Sequence, residues 1–140
     1  MNMNQVIYCS KTRKGNTRRL AAAVAGAIGE RPQDISEAGE VRGVDTLFIG
    51  ASVYAGKINP KLREFLEGIG AGEVKQAVVF GSAAGEKSAR DEIAEILAPN
   101  GITVSEKYFL CKGSFLLSNK GRPNADDLAK AEAFASEIIG

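Results

Sequence analysis

The sequence predicts an α/β domain built on an open five-stranded parallel sheet, order 2-1-3-4-5, with helices on both faces. Three observations lead there. The apolar runs Val6-Ile7-Tyr8-Cys9, Thr46–Ala51 and Ala77-Val78-Val79-Phe80 are continuous rather than alternating, as in strands covered on both faces. Between them lie segments whose apolar residues recur at helical spacing. The two kinds of element alternate along the chain, which favours right-handed crossovers between parallel neighbours. In such a sheet a ligand sits beyond the carboxyl ends of the first and third strands, where the strand order reverses.

Each element has its own local cause. Residues 4–9 read as the first strand, and residues 15–29 as a helix with Leu20, Val24 and Ile28 on one face, stopped by Gly29. Residues 31–36 form a short edge strand after Pro32. Residues 37–43 are polar and read as a poorly formed helix or a loop. Thr46–Ala51 is the third strand. Asn59-Pro60 supplies a cap and a first-turn proline for a helix carrying Leu62, Phe65, Leu66 and Ile69, ended by Gly70 and Gly72. Ala77–Gly81 is the fourth strand, and Ala89, Ile93, Ile96 and Leu97 mark a helix closed by Pro99-Asn100-Gly101. Residues 102–111 hold the last strand, with a bend. After a loop over 113–123, Asn124 caps a final helix whose first turn carries Asp126 and Asp127.

Composition narrows the function. The whole chain, residues 1–140, is read as one domain with one core. Eighteen Lys and Arg balance seventeen Asp and Glu, so the basic surplus expected of a nucleic-acid binder is missing. No apolar run approaches the roughly 20 residues of a membrane span. The first residues carry no basic segment followed by an apolar one, so the chain is read as cytoplasmic, without membrane insertion. There is no histidine, which removes His-based acid–base and nucleophilic catalysis and most zinc sites. Cys9 and Cys111 lack metal-ligand spacing and read as small buried hydrophobes, too far apart for a disulfide. No catalytic side chain and no metal ligand is therefore assigned, and the chemistry is left to a bound cofactor.

The turn Ser10-Lys11-Thr12-Arg13-Lys14-Gly15-Asn16-Thr17 joins a strand to a helix. Backbone N–H groups and the positive end of the helix converge there, and Ser10, Thr12, Asn16 and Thr17 add neutral donors suited to a phosphate. The topology sets two more loops beside it. Ser52-Val53-Tyr54-Ala55-Gly56-Lys57 is apolar and aromatic, and Ser82-Ala83-Ala84-Gly85 is made of small residues that let backbone approach something flat. A phosphate floor between two such walls fits a phosphorylated planar cofactor.

At these residues the chain resembles the flavodoxin family. Tyr8 at the strand end, Ser10-x-Thr12 and Gly15-Asn16-Thr17 are similar to the family's phosphate loop. Ser52–Gly56 is similar to its first flavin-contacting loop, Gly81–Gly85 to its second, and Lys120–Leu128 to the start of its last helix. The resemblance spans nearly the whole chain and implies non-covalently bound FMN. It further implies one- or two-electron transfer to a redox partner protein or a small-molecule donor or acceptor. It matches Gly56 to the position whose peptide turns over on flavin reduction, a change glycine tolerates in both conformations. Tyr54 is the candidate for stacking on the ring.

The chain departs from the family pattern in two ways. Arg13 and Lys14 intervene between Thr12 and Gly15; they could reach the phosphate, widen the site or spoil it. The family's simple shuttles are acidic, whereas this chain has a formal charge of +1, which implies different partners and a higher potential. Two alternatives remain: a flavin-dependent reductase or oxidase acting on a small molecule or quinone, and a flavin-free binding module. Other nucleotide sites do not fit. Residues 50–57 echo a P-loop, but the spacing is one residue long and Ile58 stands where Ser or Thr must hold magnesium. A phosphorylation-switch receiver would need acidic residues that Cys9-Ser10-Lys11 and Gly50-Ala51-Ser52 do not supply.

Overall fold

The computed structural model describes residues 3–9, 15–53, 56–83, 88–112 and 121–140. In chain order the strands are β1 (Asn4–Tyr8), β2 (Pro32–Asp34), β3 (Val44–Val53), β4 (Val74–Ala83), β5 (Thr103–Val104) and β6 (Phe109–Lys112). The helices are α1 (Asn16–Ala27), α2 (Pro60–Glu67), α3 (Arg90–Leu97) and α4 (Ala125–Ile139), with a 3-10 turn over Ala98–Asn100. Every strand pair is parallel, and the order is β2-β1-β3-β4-β5, with β6 also paired to β4. The fold is flavodoxin-like, as expected.

The two apolar clusters lie on opposite faces of this sheet. On one, Ile7, Leu47, Ile49, Ala77 and Val79 pack with Leu62 and Leu66 of α2 and Ile93 and Leu97 of α3. On the other, Val6, Phe48, Val78 and Phe80 pack with Leu20 and Val24 of α1 and Ala131 and Ala135 of α4. Consecutive strand residues thus feed opposite clusters, which is why these runs are apolar without interruption.

Two details differ from expectation, and one resolves an open alternative. The expected last strand is two pieces: β4 advances three residues from Ala77 to Phe80 while its neighbour advances five, from Val104 to Phe109. The surplus is absorbed in Ser105–Tyr108, and Arg90 covers the carbonyls freed there, its guanidinium donating to Val104 O and Ser105 O, each at 3.0 Å. Residues 37–43 form turns and loop, which is the second of the two expected alternatives. Helix α2 stops at Glu67, with Gly68 as its cap, before Gly70. Asn59 caps α2 as its sequence predicts, accepting from the Lys61 N–H at 2.8 Å.

Candidate functional site

The carboxyl ends of the strands are staggered. Tyr8 at the end of β1 is level with Gly50, whereas β3 runs on to Val53 and β4 to Ala83. A step is left above β1, and α1 starts beside it. By strand alternation Ser52 and Ser82 follow Phe48 and Phe80 onto the α1 face, and they are register partners. Thr17 in the first turn of α1 is fully buried, and its hydroxyl is hydrogen-bonded to that of Ser52. Ser82 is buried too. Three hydroxyl side chains from α1, β3 and β4 thus mark one corner of the sheet.

The amino end of α1 is set up differently from those of α2 and α4. It begins on Gly15, in extended backbone, which has no side chain to accept from the first-turn amides. Its first turn carries Arg18 and Arg19 and no acidic residue. A helix start with no side-chain cap and basic residues in its first turn directs backbone N–H groups and positive charge the way an anion requires. Helices α2 and α4 instead begin on asparagines whose side chains accept from their own first turns.

Close approach explains one glycine and a positive φ another. A Cβ on Gly81 would lie 1.8 Å from the Ala51 carbonyl oxygen, so only glycine lets β3 and β4 run together here. Gly56 has φ +78°, a conformation that side chains other than glycine rarely adopt. Two residues on, the Ile58 N–H donates to Glu92 Oε1 of α3 at 2.9 Å, and Arg63 Nη2 of α2 donates to Glu92 Oε2 at 3.1 Å.

Behind the corner, Arg122 grips Asp127 at the start of α4 through Nε at 2.9 Å and Nη2 at 2.5 Å. Asn124 and Asp127 complete a reciprocal cap, each side chain accepting from the other's backbone N–H. The guanidinium holds the Asp127 carboxyl below its ordinary range even though burial opposes this. Burial, followed by the Asp127 charge, pushes the Cys111 thiol up to about 11. Burial also raises Cys9, which sits half-buried at the end of β1. Both cysteines are free. Among the described residues no group of His, Cys, Asp or Glu could hold a metal ion.

Of the expected contact residues, Gly15, Asn16, Thr17, Ser52, Val53, Gly56, Ser82 and Ala83 lie along this one edge of the sheet. Ser10, Lys11, Thr12, Arg13, Lys14, Tyr54, Ala55, Ala84 and Gly85 lie outside the described residues. The reading of the sequence missed Glu92, because a carboxylate in the first turn of a helix looks like an ordinary partner of the macrodipole. It also took Asp127 for that kind of charge. Asn124-x-x-Asp127 has capping-box spacing, a local signal that could have been used; nothing local pointed to Arg122.

Strand order and covering helices together define a flavodoxin-type α/β protein. Residues 5–104 match the family described as Flavodoxin domain, and the chain belongs to that family. It is 25% identical over 150 residues to the uncharacterized protein MJ0298 of Methanocaldococcus jannaschii, covering 98% of this chain and 99% of that one. A flavodoxin from the domain Archaea superposes with TM-score 0.74 at 20% identity, covering 97% of this chain and 96% of the other. The apo form of an NADH:FMN oxidoreductase superposes with TM-score 0.71 at 14% identity, covering 99% and 88%.

Proposed function

We propose that the protein binds FMN at this corner and passes electrons to a redox partner. The observation that carries the reading is the start of α1, which begins on a glycine with no side-chain cap and so leaves its first-turn N–H groups to an anion. The residues present fit such a ligand. Thr17 and Ser52 supply hydroxyls beside the helix start. When bound, the flavin ring would supply the one- and two-electron chemistry. The chain's own part is to neutralise the phosphate, hold the ring and limit its contact with water. Gly56 would let its peptide turn without strain.

The test separates the phosphate from the ring. Thr12→Ala and Asn16→Ala should each weaken FMN by about 1–3 kcal/mol, the range for a hydrogen bond to a charged group. Riboflavin, which lacks the phosphate, should bind as before. Equal losses for both ligands would place the phosphate elsewhere.

One observation favours a second reading, a flavin-dependent reductase of a small molecule. A groove of about 680 Å³ lies between the ends of β1 and β2 and the start of α2, lined by Cys9, Asp34, Ile35, Asn59 and Phe65 among others. Its size suits a small ligand. Turnover of NAD(P)H or a quinone by the purified protein alone would support the reductase; a need for a second protein supports the carrier.

A further inference from the structure

We propose that Glu92 is a positioning residue for the flavin site, holding residues 56–59, the part of the connection that leads into α2, in place beside the ring; this rests on the FMN reading above. The connection contains Gly56, and it reaches α2 through Lys57, Ile58 and Asn59. Each end of that short run is anchored differently. At its far end Asn59 belongs to the cap of α2, and the Ile58 side chain is buried in the cluster between the sheet, α2 and α3. At the backbone, the Ile58 N–H is taken by a carboxylate from another helix, Glu92 Oε1 at 2.9 Å.

Glu92 is itself held. Its side chain is only 15% exposed, and Arg63 of α2 donates to its second oxygen at 3.1 Å. One carboxylate thus ties α2, α3 and the loop backbone together two residues beyond Gly56. Its neighbour Asp91 shows that this is not a general property of the turn: that side chain is 89% exposed and pairs with Arg90 beside it. A hydrogen bond to a charged acceptor shifts a local opening equilibrium by roughly tenfold or more. Without it, the peptide beyond Gly56 would sample open states that cannot flank a flat ring.

The location of Glu92 sets its signature apart from that of the phosphate loop. It acts on the wall of the ring, so FMN and riboflavin should suffer alike. The experiment compares Glu92→Ala, Glu92→Gln and the control Asp91→Ala by amide hydrogen exchange in flavin-free protein and by titration with both flavins. In Glu92→Ala the Ile58 amide should exchange about tenfold faster and both flavins should weaken by a common factor. Glu92→Gln keeps a side-chain oxygen for the Ile58 N–H but turns its NH2 toward Arg63, and should lie between Glu92→Ala and wild type in both properties; Asp91→Ala should change neither. Unchanged exchange at Ile58 in Glu92→Ala, or faster exchange with both affinities intact, would overturn the inference. Wild-type protein that takes up neither flavin would overturn the FMN reading and the flavin half of this inference, while the exchange data would still decide the clamp.

Discussion

Replacing Asp127 by alanine would remove the acceptor for three hydrogen bonds at once, from Arg122 Nε, Arg122 Nη2 and the Asn124 N–H. The half of the reciprocal cap made by the Asp127 carboxylate goes with it, while Asn124 still accepts from the backbone N–H at 127. The two guanidinium bonds are charge-assisted, but the Arg122 side chain is 38% exposed and recovers part of their strength from water. The net cost should be about 2–3 kcal/mol, or a fall in Tm of about 5–10 °C for a chain of this size. Urea unfolding at pH 7 measures it. The pH dependence gives a second check. The folded carboxyl is held below its ordinary 3.8, first by Arg122, so in acid the unfolded chain binds the proton more readily. Its contribution is therefore complete above about pH 4 and is lost as the pH falls through the lowered folded value. Asp127→Ala should flatten the acid limb of the stability curve without abolishing it. Asp45 keeps its own share, its carboxyl being lowered by the Met3 N–H and then by Lys75. A variant within about 0.5 kcal/mol of wild type at pH 7, the usual surface range, would refute the reasoning, as would an unchanged acid limb.

Two further outcomes follow from the same corner of the fold. Gly81→Ala places a methyl 1.8 Å from the Ala51 oxygen, and the strands must separate to admit it. Stability should fall by about 3 kcal/mol, the upper end of overpacking, and a thermal melt indistinguishable from wild type would show that β3 and β4 yield freely. The Cys111 thiol, pushed up to about 11, should react with a thiol reagent at pH 8 on the order of a hundredfold more slowly in the folded protein than in urea. Equal rates would mean that the end of β6 opens readily.

Much of this architecture was legible in the sequence because the central strands β1, β3 and β4 are covered on both faces. Val78, Val79 and Phe80 serve opposite clusters in turn, so their apolar run carries its own meaning. Capping was legible at Asn59 and Asn124 because a cap is a local contact. The break between β5 and β6 was not, since it depends on Arg90 reaching carbonyls fourteen and fifteen residues away. Glu92 escaped for the same reason: the distance from Ile58 along the chain is 34 residues, and only the fold closes it. The Thr17 and Ser52 hydroxyls were each singled out, but their mutual contact, 35 residues apart, emerged only from the stagger of β1 against β3.

Titrating the purified wild-type chain with FMN, followed by visible absorption and flavin fluorescence, bears most directly on the idea of a phosphate seated at the start of α1. Saturation at one equivalent, with riboflavin binding markedly more weakly, is the expected result. FMN that stays free at concentrations well above those of the protein, or flavins that bind equally with and without the phosphate, would contradict it.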